Sequence, residues 1–453
     1  MAESTNTIQK EIQDREAKEK RELRRKRRRR NQILAILTLL LFVCLIVAII
    51  GTGVWYIMHR GAGKTAGGGA ATTEETTIDN LFESEDEIVK PEETNTEPAL
   101  TPEQQLDAIL DEAFISQMPL EDKVAGLFIV TPESITGVSK AVKAGDGTKD
   151  ALNKYAVGGI VYASQNMQDA AQFTEMVSNT TLYSRYALFT CVAEEGGSST
   201  SLEKAGLADK TDSEQAMGTG ADAAKAYEAS GKIADSMLTY GLNLNFAPVA
   251  DLATVQDSYL KDASYGSDAA LAASFVTSAV QGMQEKGISS CLKYFPGAAD
   301  MKEDPAKGMA SSERTAEQLA AEEFAVFKAG IDAGADMVMV GHVSVPALTG
   351  DNTPCSLSSA VITDKLRNEL GFNGVIITDA MNKGAITEYY EADEAAILAL
   401  KAGCDMILCP DDFEKAYNGV LEAVQNGTIS EERINDSLRR IYRIKYAGMM
   451  PEA

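Results

Sequence analysis

The stretch Gly374-Val375-Ile376-Ile377-Thr378-Asp379-Ala380-Met381 is an apolar run that ends on a carboxylate. It shows no alternation of apolar and polar residues, which is typical of a strand buried on both faces of a parallel sheet. In such sheets the ligand crevice lies just beyond the carboxyl ends of the strands. Asp379 is therefore a candidate active-site carboxylate. A carboxylate at a strand end can also serve as a helix N-cap or as the partner of a nearby lysine.

Similar apolar segments recur along the chain, with amphipathic helical patterns such as 316–329 and 362–370 between them. Alternation of strands and helices forces parallel pairing with right-handed crossovers. We therefore predict an α/β fold, a TIM-type (β/α)8 barrel over residues 105–449. An open doubly wound sheet is the alternative, but no G-x-G-x-x-G turn follows any strand. The eight predicted strands are 124–130, 158–162, 186–192, 242–249, 289–295, 337–343, 375–378 and 406–409.

The sequence before the barrel predicts a membrane anchor. Residues 1–30 contain 12 Lys and Arg against 6 Asp and Glu, whereas the whole chain has a net charge of -25, so the body is strongly acidic. The uncharged run within 31–60 is long enough for a transmembrane helix, and the positive-inside rule leaves residues 1–30 as a cytoplasmic tail. Residues 61–104 have the composition of a flexible acidic linker. We expect an extracytoplasmic barrel on a single-pass cell-membrane anchor, and no nucleic-acid partner.

Several polar residues fall at the ends of other predicted strands and should meet Asp379 on one rim of the barrel. They are Glu195, Asp251, Lys293 and His342. Each has a structural interpretation as well: Lys293 could pair with a rim carboxylate, Asp251 could hold its own loop, and His342 could be a core imidazole. Paired carboxylates with a cation suit glycosidic chemistry or a divalent metal. The scarcity of histidine argues against a transition-metal site, and nothing in the sequence predicts a cofactor.

The rim motifs, taken together, resemble glycoside hydrolase family 3, in particular its single-barrel bacterial β-N-acetylhexosaminidases. The resemblance covers nearly the whole body after the linker and rests on Glu195-Gly196-Gly197, Asn245-Phe246-Ala247-Pro248-Val249-Ala250-Asp251, Lys293-Tyr294-Phe295-Pro296-Gly297, His342-Val343 and Leu370-Gly371-Phe372-Asn373-Gly374-Val375-Ile376-Ile377-Thr378-Asp379. It implies a retaining mechanism in which Asp379 is the nucleophile. It also implies a glycan substrate that contains N-acetylhexosamine, of the peptidoglycan type or another.

The sequence departs from the family pattern where the proton donor is expected. The family carries an Asp-x-His dyad in the loop after the fifth strand; Asp304 matches its aspartate, but Ala306 stands at the position of its histidine. Either Asp304 or Glu303 could replace the missing acid. Other positions of the family pattern are also changed, namely Ala193, Ser198, Ala263, Tyr294, Ala298 and Ala299.

Two hypotheses follow from this combination of motifs. The first is a membrane-anchored glycosidase with Asp379 as nucleophile and Asp304 or Glu303 as acid. The second is a catalytically inactive barrel, a pseudoenzyme, that binds a glycan or a protein partner at the cell envelope, because a fold alone does not establish an activity.

Overall fold

The computed structural model describes residues 102–447 except 199, 261, 298 and 299. Within this part of the chain, no helix combines the length and the apolar character needed to cross a bilayer. The predicted cytoplasmic tail (1–30) and transmembrane helix (31–60) lie outside the described residues, as does nearly all of the predicted linker (61–104).

Eight parallel strands form the centre of the molecule, in the order β7-β6-β5-β4-β3-β2-β1-β8. A parallel bridge from Ile377 on β7 to Met406, just before β8, joins the two ends of this order. The predicted (β/α)8 barrel is thus confirmed as a nearly closed eight-stranded barrel. The strands are β1 (Phe128–Val130), β2 (Gly159–Val161), β3 (Phe189–Val192), β4 (Leu244–Asn245), β5 (Ser289–Phe295), β6 (Met337–Val340), β7 (Val375–Thr378) and β8 (Ile407–Leu408).

Helices surround the strands, and several begin at a side chain that caps the first turn. Thr315, for example, accepts a hydrogen bond from the N–H of Gln318, whose side chain reaches back to Thr315 N–H as a capping box. The α-helices are Pro102–Ala113, Leu120–Ala125, Pro132–Thr136, Asp146–Lys154, Ala170–Tyr183, Glu214–Thr219, Ala224–Thr239, Ala269–Gln284, Ala316–Ala321, Glu323–Asp332, Pro346–Thr349, Gly384–Thr387, Ala392–Ala402, Phe413–Gln425 and Glu431–Tyr446. Short 3-10 turns span Ile115–Gln117, Ser164–Asn166 and Cys355–Leu357, and Ala360–Glu369 is wound as a π-helix.

The barrel interior accounts for the apolar segments of the sequence. Every residue of β7 is buried, as the unbroken apolar run predicts, and both β5 and β7 have the predicted bounds. The first predicted strand begins too early, because Val124 lies in the helix Leu120–Ala125 and the strand starts at Phe128. A buried helix turn and a buried strand have the same apolar composition, so periodicity does not separate them.

A fully buried carboxylate ties the last strands to the C-terminal helix. Asp405 precedes β8, and its Oδ2 accepts hydrogen bonds from Arg367 Nη2 (2.6 Å) and from Ile376 N–H (2.9 Å). Its Oδ1 accepts from Ser437 Oγ at 2.9 Å and from Arg440 Nη1 at 3.1 Å. These charge-assisted bonds fix β7 and β8 relative to Glu431–Tyr446, and the rim beyond the carboxyl end of β7 therefore has a rigid base.

Candidate active site

Asp379 is the residue directly after β7, at the carboxyl end of the barrel. The residue is only 6% exposed and lines a cavity of about 270 Å³. Oδ1 accepts the N–H of Ala380 at 2.7 Å, and Oδ2 accepts Lys383 Nζ at 2.6 Å. Both oxygens of the candidate nucleophile are thus held by donors from the segment that follows the strand.

The charge state of Asp379 results from opposing influences. Burial raises its pKa, but the ammonium of Lys383 and the N–H of Ala380 favour the carboxylate, and the pKa of Asp379 lies below its ordinary value of 3.8. Asp379 is a carboxylate at neutral pH, which is the form that a glycosidase nucleophile requires.

The loop after β5 brings one of the two candidate acids to the cavity. Asp304, Pro305 and Ala306 all line it together with Asp379. Glu303, the other candidate, is exposed and is not among the lining residues. The geometry therefore favours Asp304 over Glu303 as a partner for Asp379.

Glu195 lines the cavity and belongs to a buried ion pair whose lysine is not among the lining residues. Lys293 on β5 donates through Nζ to Glu195 Oε1, and both side chains are buried. The ring of Tyr294 also lines the cavity; its centroid lies 5.4 Å from Lys293 Nζ and 5.3 Å from Lys383 Nζ. The sequence predicts Lys293 and Glu195 as substrate-binding residues, and their mutual ion pair matches the structural interpretation of Lys293 as the partner of a rim carboxylate.

His342 lies at the cavity wall as a neutral, hydrogen-bonded imidazole. Burial lowers its pKa, and the charge of Asp379 offsets this only in part. Nε2 donates to the carbonyl of Ala380 at 3.0 Å, and Nδ1 then accepts the hydroxyl of Ser356 at 2.7 Å. His342 thus fixes the Ala380 segment, whose N–H holds Asp379.

Asp251 is almost fully buried and does not line the cavity. Its carbonyl accepts the hydroxyl of Ser264 at 2.7 Å. A Cβ built on Gly297 would lie 3.4 Å from Asp251 Oδ1 and only 2.5 Å from Glu323 Cγ, and Gly297 has a φ of +104°. Glycine is therefore required at this position, where the loop after β5 passes over Asp251.

Three residues that the sequence did not predict also shape the site. Lys383 stands four residues after Asp379, at the N-cap of the helix Gly384–Thr387, so no helical spacing in the sequence pointed to it. Tyr259 lines the cavity from the loop after β4. Both carboxylate oxygens of Glu214 accept the N–H of Val249, at 3.1 and 3.2 Å. Burial raises the pKa of Glu214 well above its ordinary value, and the negative charge of Glu195 raises it further. The position of Glu214 depends on a tertiary contact that no local pattern reveals.

The chemistry of the cavity is that of carboxylates beside compensating cations. Among the residues that the structure describes, no three His, Cys, Asp or Glu side chains cluster in a way that could hold a metal ion. The volume lies just below the range of about 300 to 1,000 Å³ that is typical of ligand pockets, and suits a small polar unit such as one sugar residue. Retaining glycosidases use two carboxyl groups that flank the scissile bond, and both Asp379 and Asp304 line this cavity.

Comparison with known proteins decides the family. The model for the glycosyl hydrolase family 3 N-terminal domain matches residues 119–444, which is almost the whole barrel. The chain belongs to glycoside hydrolase family 3. This confirms the resemblance that the rim motifs carry.

The relatives of this family 3 chain include β-hexosaminidases. The β-hexosaminidase of Stenotrophomonas maltophilia (strain K279a) is 30% identical over 284 residues, which cover 60% of this chain and 82% of the relative. A solved family 3 β-N-acetylglucosaminidase from Paenibacillus sp. str. FPU-7 superposes with a TM-score of 0.69 and 32% identity, over 74% of this chain but only 64% of that one. The β-N-acetylhexosaminidase of Beutenbergia cavernae gives a TM-score of 0.65 and 25% identity, over 73% of this chain and 99% of that one.

Within the family 3 barrel, the structure shows what stands where the family pattern has its dyad histidine. Ala306 presents only a methyl group to the cavity, and its N–H donates to Asp304 Oδ1 at 2.9 Å. The Asp304 carboxylate thus folds back on its own loop in a tight turn. Ala298 and Ala299, two other positions that depart from the pattern, lie outside the described residues.

Proposed function

We propose that this family 3 chain is a retaining β-N-acetylhexosaminidase-like glycosidase. The observation that carries the proposal is the ionised, buried Asp379, which lines a cavity that it shares with Asp304. Asp379 attacks the anomeric carbon and Asp304 gives a proton to the departing oxygen. Asp304 then takes a proton from the water that releases the sugar from Asp379.

The substrate in this proposal is a glycan that ends in an N-acetylhexosamine. Support comes from the relatives, which are named as β-hexosaminidases or β-N-acetylglucosaminidases, and from a cavity that suits a single sugar residue. Glu195, which lines the cavity and is paired with Lys293, offers its carboxylate to sugar hydroxyl groups. We further propose that the barrel works outside the cell on a membrane anchor, because residues 1–60 combine a basic head with a long uncharged apolar run.

The test is hydrolysis of a panel of aryl β-glycosides by the full-length chain in mild detergent, with the Asp379→Asn variant as the matched control. We expect cleavage of the N-acetyl-β-glucosaminide or N-acetyl-β-galactosaminide, and none by the variant. A slowly turned-over fluorinated substrate should leave a glycosyl group on the peptide that contains Asp379, measured by mass spectrometry. Equal rates for both proteins on every sugar would refute the proposal.

A second candidate is a barrel that binds a glycan or a protein partner without cleaving it. One observation favours it specifically: both oxygens of Asp379 are already held by hydrogen bonds, while Ala306 offers no titratable group to the cavity. Binding of N-acetylglucosamine by calorimetry, without turnover of any aryl glycoside, would support this function. A trapped adduct on Asp379 would exclude it as a complete account.

A further inference from the structure

The loop after β5, which carries Asp304, is fastened to the segment after β7 by backbone hydrogen bonds. Gly384 N–H donates to the carbonyl of Ala306 at 3.0 Å, and Ala385 N–H donates to the carbonyl of Pro305 at 3.1 Å. The next residue back along the chain, Lys383, holds Asp379. Three consecutive residues therefore contact the nucleophile on one side and the Asp304 loop on the other.

Gly384 is the point of closest approach between the two segments. A Cβ built on it would lie 2.8 Å from Gly308 N, 2.8 Å from Lys307 C and 3.1 Å from Ala306 O. All three atoms belong to the backbone, so they cannot rotate away as a flexible side chain would. Gly384 does not have a positive φ, so the need for glycine here comes from space alone.

Hydrogen bonds join the Asp304 turn to the backbone that Gly384 contacts. Asp304 Oδ1 accepts the N–H of Ala306, and the carbonyl of Asp304 accepts the N–H of Lys307 at 2.9 Å. A side chain at position 384 would push directly on Ala306, Lys307 and Gly308. The displacement would carry the Asp304 carboxyl away from Asp379.

We propose that Gly384 is a positioning residue that sets the place of Asp304 opposite Asp379. Its missing side chain lets the loop after β5 dock on the segment after β7. The inference rests on the proposed glycosidase function for its effect on rate, but its structural content can be tested without turnover.

The kinetic test uses the full-length chain with Gly384→Ala, alone and combined with Asp304→Asn. Because a misplacement of about 1 Å can cost roughly 10²-fold in rate, we expect kcat on the aryl N-acetylhexosaminide to fall by about that factor, with KM little changed. In the Asp304→Asn background, Gly384→Ala should have no further effect. The matched control is Gly147→Ala, since a Cβ on Gly147 would meet nothing within 4 Å; it should leave kcat unchanged.

The structural test is amide hydrogen exchange on the same proteins. In the wild type, the N–H groups of Gly384 and Ala385 should exchange slowly. Gly384→Ala should accelerate exchange at residues 304–308, whereas Gly147→Ala should not. The proposal is overturned if Gly384→Ala slows kcat equally with and without Asp304, or if exchange at 304–308 matches the wild type. Should the wild type cleave no glycoside, the proposed function fails, while the exchange data still decide the role of Gly384.

Discussion

Replacement of Ala306 by histidine should turn a weak or silent barrel into a faster glycosidase. Ala306 lines the cavity together with Asp379, and its backbone carbonyl is held by Gly384 N–H, so a new side chain would start from a fixed point. It also follows Asp304 by two residues, which recreates the Asp-x-His spacing of the family pattern. An imidazole has an ordinary pKa of about 6.5, near that of an ideal acid/base at neutral pH.

The size of the gain can be bounded. A positioned general acid/base contributes about 10²- to 10⁴-fold in rate. Asp304 Oδ1 is occupied by the Ala306 N–H, so this carboxylate can orient a new imidazole only with its other oxygen. We therefore expect the lower end of the range, about 10²-fold in kcat or about 2.7 kcal/mol in activation free energy.

The assay compares kcat for the wild type, Ala306→His and Ala306→Asn on an aryl N-acetyl-β-glucosaminide across pH. The asparagine is polar but cannot transfer a proton, so it controls for added bulk. The histidine variant should also gain a limb in its pH profile near the imidazole pKa. If both variants are folded and share the same kcat, the reasoning that a histidine at position 306 is a better proton donor than Asp304 is refuted.

Two further predictions concern the ion pairs of the cavity. Lys293→Met should lower the free energy of unfolding by about 3 to 5 kcal/mol, because it leaves the buried Glu195 carboxylate without its cation; the double variant with Glu195→Gln should recover most of the loss in urea titrations, and a double variant as unstable as the single one would contradict this. Lys383→Met should raise the pKa of Asp379, because the ammonium group that counteracts the effect of burial is removed. The acid limb of the pH profile of kcat/KM should therefore move to higher pH. Because the Lys383 pair lowers the pKa in the folded state, its contribution to stability should also disappear as the pH falls through that pKa; an unmoved acid limb would show that Lys383 does not control Asp379.

The fold was predictable because its strands are buried on both faces. A continuous apolar run such as Val375–Thr378, with helical patterns on either side, is typical of a strand in a covered parallel sheet. The same signal failed at Val124, where the burial comes from helix packing instead. The fourth predicted strand, 242–249, is also too long, since β4 spans only Leu244–Asn245 although residues 246–249 are buried as well.

The site was predictable only as far as strand ends define it. Asp379 follows from its strand, whereas the preference for Asp304 over Glu303 depends on how a loop turns, and adjacent loop residues carry no period that tells inside from outside. Lys383 lies four residues after Asp379 in a non-helical turn, where the strand pattern no longer indicates which side chains face the cavity. Glu214 could not be predicted because its partner, Val249, is 35 residues away in sequence.

A retaining reaction first forms a glycosyl intermediate and then releases the sugar with water. The hydrogen bonds to Asp379 affect these two steps differently. Donors that stabilise the carboxylate lower its nucleophilicity but make it a better leaving group when water releases the sugar. Lys383 and the Ala380 N–H act in this direction, so formation of the glycosyl intermediate is the step that most needs a proton donor. That donor position is held by the methyl group of Ala306, with Asp304 as the only carboxyl of its loop that lines the cavity in the described part of the chain. Whether this barrel cleaves a glycan or only binds it therefore depends on where the Asp304 carboxyl group lies, and Gly384 controls that position.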